Sequence, residues 1–207
     1  LKDLYHAPTM LEESKFSEIV CRELGIEANE LKLDSWKEML DRIDSREGRV
    51  TIGLVGKYTK LHDAYLSVAE ALAHAGYENG VFVDIKWIEV EDLTEGGCPD
   101  KSDEELESIL GDVDGILVPG GFGNRGIAGK IRAARYAREH DIPYLGICLG
   151  MQIAVIEYAR NVLGYADANS TEFDENSAHN VIDLMPDQRG IIPKGGTMRL
   201  GAYECKI

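Results

Sequence analysis

Pro143-Tyr-Leu-Gly-Ile-Cys-Leu-Gly-Met-Gln152 joins a buried-strand pattern to an amphipathic helix through a single thiol. Tyr144, Leu145 and Ile147 read as a short strand covered on both faces, as in a parallel sheet. Gly146 and Gly150 lack a Cβ, so a sharp turn and a close approach to the sulfur are both tolerated. The helix predicted from Met151 to about Leu163 sets the positive end of its dipole beside the thiol and favours thiolate. At such an elbow the next backbone N–H, here that of Leu149, is free to receive an oxyanion. Cys148 is the candidate nucleophile.

The surrounding pattern is α/β. Strands are expected at Val50–Val55, Val81–Val90, Gly115–Val118 and Tyr144–Ile147. Helices are expected at Ala64–Ala75, Asp103–Leu110 capped by Ser102, Ala128–His140 and Met151–Leu163. This alternation predicts a doubly wound, mostly parallel sheet flanked by helices. Its ligands gather at the carboxyl ends of the strands, where Gly120 and Cys148 both fall. Residues 1–48 read as a helical connector, with one helix at about Glu12–Leu24. A second starts at the capping box Ser35-x-x-Glu38 and runs to about Ile43. Residues 49–207 form the main domain.

Two glycine loops need weighing. Gly121-Phe-Gly-Asn-Arg-Gly126 matches the dinucleotide fingerprint, but no acidic residue ends the next strand about 20 positions on. The better reading is that Pro119-Gly120-Gly121 turns the Gly121 amide toward the sulfur as a second oxyanion donor. Gly53-Leu-Val-Gly-Lys57 is too short for a phosphate loop, and Tyr58 stands where Ser or Thr is required.

Composition narrows the class. The 207 residues are 44% hydrophobic and carry a net charge of −15, which argues against a nucleic-acid surface. Lys130, Arg132, Arg135 and Arg138 form a basic stripe, expected to be a solvated helix face. The four cysteines (21, 98, 148 and 205) contain no Cys-x-x-Cys pair, which fits a reducing, cytoplasmic setting and no metal site. The longest uncharged stretch, Ile142–Ile156, has 15 residues; a membrane span needs about 20. None of the five histidines is followed two residues later by a glutamate, and only His179 is a chain-internal candidate for a general base.

Gly-Ile-Cys-Leu-Gly-Met-Gln (146–152) with Pro-Gly-Gly (119–121) resembles the class I glutamine amidotransferases. Gly-Leu-Val-Gly-Lys-Tyr (53–58), Asp-Ala-Tyr-Leu-Ser-Val (63–68) and Ala-Asn-Ser-Thr-Glu-Phe (168–173) narrow the resemblance to the CTP synthase family. So do Pro-Gly-Gly-Phe-Gly-Asn-Arg-Gly (119–126), Gly-Gly-Thr-Met-Arg-Leu-Gly (195–201) and the opening Tyr5-x-x-Pro8-x-x-Leu11-Glu12 with Val20-Cys21-Arg22.

The resemblance implies that Cys148 attacks the side-chain amide of L-glutamine, with Gly121 and Leu149 supplying the oxyanion hole. It implies that Gly120, Phe122, Gly150, Met151, Gln152 and Glu172 line the glutamine site, Glu172 facing the α-ammonium. Phe122 and Arg125 would lie in a loop that responds to GTP, an activator. The resemblance further implies that ammonia passes to an amidoligase domain making CTP from UTP with ATP and magnesium, usually as a homotetramer, none of these cofactors being held by this chain. Residues 1–48 would be the end of that synthetase domain and the linker. The family's His-x-Glu pair is expected after residue 207, so the chain reads as a glutaminase portion, C-terminally incomplete and poorly active alone. The alternatives are a non-catalytic glutaminase-like module, or the glutaminase of another class I amidotransferase such as that of GMP synthesis.

Overall fold

Four strands, β1 (Arg49–Gly56), β2 (Phe82–Glu89), β3 (Gly115–Val118) and β4 (Tyr144–Gly146), form one sheet in the order β2-β1-β3-β4. β1 runs parallel to β3, with Ile52 opposite Gly115, and β3 runs parallel to β4, with Leu117 opposite Leu145. β3 is buried along its whole length, and β1 becomes buried from Gly53 onward. Both therefore read as continuous apolar runs rather than alternating ones. The computed structural model describes residues 3–94 and 101–184. The motif at 195–201, Cys98 and Cys205 lie outside the described residues.

The chain divides into two units, one of Leu1–Thr51 with Tyr65–Ile85, the other of Ile52–Ala64 with Lys86–Ile207. In the first unit, α1 (Ala7–Glu13) and α2 (Phe16–Leu24) replace the single helix expected over Glu12–Leu24. The break is at Ser14-Lys15. Ser14 bonds back to the Leu11 carbonyl through both its amide and its hydroxyl, and Lys15 turns left-handed at φ 57°. Such local side-chain bonding competes with helix continuation. α3 (Asp34–Asp44) begins two residues too early for the expected Ser35–Glu38 box. Its cap position is Leu33, which makes no side-chain bond, so the box does not form; Asp34 sits instead in the first turn, where a carboxylate suits the dipole. α4 (Leu66–Asn79) packs on α3 and ends at Gly80, whose φ of 67° terminates the helix.

The second unit holds α5 (Asp103–Leu110), α6 (Ile127–Glu139) and α7 (Leu149–Asn161). At α5 the expected Ser102 cap is present as a complete box, Glu105 bonding back to the Ser102 amide at 2.9 Å. The main core packs Val55, Ile88, Ile116 and Val118 from the strands against Leu106 and Leu110 of α5 and Ala133, Tyr136 and Ala137 of α6. A second cluster joins Ala134 of α6 to Leu149 and Ile153 of α7, with Tyr144 packed against it. A short parallel ladder, β5 (Asn169–Ser170) with β6 (Asn180–Ile182), packs on α7.

The basic stripe is not a uniformly solvated face. Lys130 is 1% exposed, and Arg138 grips the buried Glu157 carboxylate with contacts of 2.8–3.1 Å. Arg135 does reach solvent, beside Glu139. The cause is that α6 packs against both β3 and α7, so the row through residues 130, 134 and 137 faces inward. Among the described residues no helix is long and apolar enough to cross a membrane.

Candidate active site

The carboxyl ends of β1, β3 and β4 deliver Lys57, the Pro119-Gly120-Gly121 turn and Cys148 to one edge of the sheet. This is where an open parallel sheet places its ligands. Cys148 caps α7 with φ 52° and ψ −105°, a conformation costing an L-residue about 1–3 kcal/mol. The surroundings hold it there. The Ile147 amide donates to the Val118 carbonyl at 2.9 Å, and the Gly150 amide donates to the Ile147 carbonyl at 2.9 Å. The amides of Met151 and Gln152 both donate to the Cys148 carbonyl, and the Tyr144 hydroxyl donates to the Gly150 carbonyl at 2.8 Å. The helix thus begins two residues earlier than expected, with the thiol at its cap. The thiol itself is exposed.

The two flanking glycines serve packing first. A Cβ on Gly146 would lie 2.3 Å from the Gly150 carbonyl carbon, and one on Gly150 would lie 2.0 Å from the Val118 oxygen. The first turn of α7 therefore rests directly on β3 and β4, which fixes the sulfur relative to the sheet. Access to the sulfur, the reason the sequence suggests, follows from the elbow rather than from these glycines alone.

Gly120 faces Cys148: a Cβ there would lie 3.5 Å from the Cβ of that residue. A Cβ on Gly121 would touch both Leu149 Cδ2 at 3.7 Å and Lys130 Nζ at 3.6 Å. Among the described residues, the amides of Gly121 and Leu149 donate no hydrogen bond. Two unengaged donors beside an exposed thiol are what an oxyanion hole for acyl transfer requires.

The loop after Gly121 is held from two sides. Lys57, nearly buried, donates from Nζ to the carbonyls of Phe122 at 2.9 Å and Gly123 at 3.3 Å. The Gly123 amide donates to Glu172 Oε1 at 3.1 Å, bringing the 168–173 run to the loop. Glu172 is held in turn by its own amide, which donates to the buried Ser170 hydroxyl at 3.2 Å. Arg125 donates to the Lys57 carbonyl at 2.9 Å, approaches Glu91 and lies over the Tyr58 ring. Phe122 projects outward, 70% exposed, as does Met151, while Gln152 is half-buried on α7.

The electrostatics are dominated by two buried lysines. Burial pulls Lys57 below its ordinary value, and the nearby Arg125 adds to the effect. Burial pulls Lys130 down to about 8; repulsion from Lys57 adds to this, and the Cys148 sulfur acts in the opposite direction. Tyr144 is pushed up by burial and then by Glu157, so its hydroxyl stays a donor. His179 is engaged elsewhere, with Nδ1 2.6 Å from Asp167 and its ring stacked on Tyr165. Among the described residues no histidine hydrogen-bonds the Cys148 thiol.

The structure thus gathers Gly120, Gly121, Cys148, Leu149, Gly150 and, through Gly123, Glu172. The sequence reading passed over Lys57, Lys130 and Tyr144 as parts of the site. Their signals were faint: a lysine ending a buried strand, and a lysine in register with the apolar positions of a helix.

The description "Glutamine amidotransferase class-I" matches residues 60–207. The chain is 54% identical over 206 residues to a CTP synthase of Clostridium acetobutylicum, covering 100% of this chain and 37% of that protein. It is 57% identical over 204 residues to a CTP synthase of Ruminiclostridium cellulolyticum, covering 99% of this chain and 36% of the relative. It thus spans little more than a third of these relatives. Among solved structures, the glutaminase domain of a Trypanosoma brucei CTPS with bound acivicin superposes with a TM-score of 0.60 and 46% identity, covering 68% of this chain and 52% of that one. With the family match extending over most of its length, this chain belongs to the class I glutamine amidotransferases.

Proposed function

We propose that this chain is the glutaminase portion of a CTP synthase and that Cys148 is its nucleophile. The observation that carries the reading is the exposed thiol on a left-handed elbow, next to the unengaged amides of Gly121 and Leu149. The Cys148 thiolate attacks the δ-carbonyl carbon of L-glutamine, forming a C–S bond, and the two amides receive the charge that develops on oxygen. Collapse expels the amide nitrogen, which takes up the proton given up by the thiol and leaves as ammonia. Water then cleaves the γ-glutamyl thioester to glutamate and the free thiol.

Glu172 suits the α-ammonium by charge, and the Gly123 amide fixes its carboxylate. Gly120, Phe122, Gly150, Met151 and Gln152 line the remaining approach to the sulfur. Among the described residues no histidine hydrogen-bonds the Cys148 thiol, so the proton acceptor is assigned to none of them. Ammonia passes to an amidoligase domain that converts UTP to CTP with ATP and magnesium, in a cytoplasmic homotetramer; ATP and magnesium belong to that domain. The exposed ring of Phe122 offers GTP a stacking face, with Arg125 beside it.

Acivicin, the ligand of the trypanosomal glutaminase domain, tests the reading. Mass spectrometry should find the adduct on Cys148 and on no other cysteine, with protection by glutamine. An adduct elsewhere, or none, removes Cys148 from the role.

A further inference from the structure

Lys130 is a nearly fully buried ammonium without a carboxylate: among the described residues no acidic side chain pairs with it. Buried lysines are ordinarily paired, because an isolated charge loses its hydration without compensation. Here two further influences oppose the charge. Lys57 repels it, and its place in the first turns of α6 sets it near the positive end of the helix dipole. Its neighbours are the parts of the acyl-transfer site. Its Nζ lies 3.6 Å from where a Gly121 Cβ would be, beside Leu149, so it sits beneath the residues contributing the two free amides.

We propose, resting on the assignment of Cys148 as nucleophile, that Lys130 is the built-in counter-charge of this site, stabilising the thiolate before attack and the oxyanion after it through the Gly121 turn. It is a positioning residue acting by charge rather than by contact with substrate. The geometry explains why the cation persists without a carboxylate: the anion it balances is the Cys148 thiolate at rest and the oxyanion during turnover. Of the charged groups on elements packed against α6, Glu157 is taken by Arg138, and Glu91 lies by Arg125. Lys57 and Cys148 are the groups that act on Lys130. Lys57 spends its donors on the Phe122 and Gly123 carbonyls, so it anchors the loop while Lys130 supplies the field.

A lysine serving only to fill space would be replaced without loss by methionine, which has similar length and no charge. The test is alkylation by iodoacetamide, a neutral electrophile that needs no substrate-binding group, followed cysteine by cysteine by mass spectrometry from pH 6 to 10 in the intact protein. In Lys130→Met, alkylation of Cys148 at pH 7 should fall about tenfold, and its rate profile should move up by about one pH unit. Cys21, in the other unit, should react as before. Lys130→Arg, which keeps the charge, should restore much of the rate. Should the methionine variant fail to fold by circular dichroism, Lys130→Gln is compared with Lys130→Arg in its place. Equal Cys148 alkylation in folded charged and uncharged variants overturns the proposal. So does a defect confined to the KM for glutamine, which would make Lys130 a substrate-carboxylate ligand. Failure of acivicin to label Cys148 in the parent protein would instead overturn the underlying assignment.

Discussion

The backbone amide of Gly123 donates to the carboxylate of Glu172 at 3.1 Å, across 49 residues of sequence. The same peptide unit gives its other polar group, the Phe122 carbonyl, to Lys57 Nζ at 2.9 Å. One peptide plane is therefore gripped from both sides. The loop carrying Gly120 and Gly121 is set by a strand end on one side and by the turn after β5 on the other.

Glu172→Ala should raise the KM for glutamine about 10- to 100-fold in the intact protein and change kcat by much less. In the proposed role the carboxylate holds substrate equally in the ground and transition states. Glu172→Gln keeps an acceptor for the Gly123 amide but loses the charge, so its KM should fall between the two. A loss of kcat alone, with glutamine binding unchanged, would contradict the assigned role.

Cys148→Ala should abolish glutamine-dependent CTP formation, by about a thousandfold or more, while leaving ammonia-dependent formation close to that of the parent protein. In the proposed CTP synthase the second reaction needs only ammonia as its nucleophile. Loss of both activities in a well-folded variant would show that Cys148 is not the amidase nucleophile.

Gly150→Ala should destabilise the fold by about 2–4 kcal/mol, because its Cβ would meet the Val118 carbonyl oxygen at 2.0 Å and backbone must move to admit it. Thermal melting measures the loss. Acivicin labelling of Cys148 should fall as well, since the same movement displaces the elbow from the Gly120 turn. An unchanged melting temperature would mean that α7 does not rest on β3 as described.

Lys130 also makes a pH prediction for stability. Its folded value, about 8, lies below the ordinary lysine value of 10.5. Between the two the unfolded chain binds more protons than the folded one, so this group makes stability rise with pH across that window and level off above it. Chemical denaturation from pH 7 to 11 should show that component in the parent protein. Lys130→Met should lack it and should be the more stable of the two near pH 7. Identical pH slopes would show that Lys130 is not desolvated in the folded state.

The elbow was legible because its signals are local. A β-apolar run, a cysteine between two glycines and a helical period all fall within residues 143–163, and each acts on its immediate neighbours. The strands and α5 to α7 followed for the same reason. The first unit was less legible. One left-handed residue, Lys15, split a helix whose apolar period continues through it, and at α3 the box residues Ser35 and Glu38 lie within a helix that starts at Asp34.

From the sequence alone came the parallel α/β architecture, the family and the strand-to-helix elbow at Cys148, since periodicity, glycine placement and motif are properties of adjacent residues. Only the tertiary structure decided that Lys130 turns inward while Arg135 stays out, that Lys57 anchors the Phe122 loop, and that Glu172 meets Gly123. Each of these depends on which elements pack together over tens of residues. Burial and charge at such distances are set by the packed sheet and helices, not by the order of the side chains along the chain.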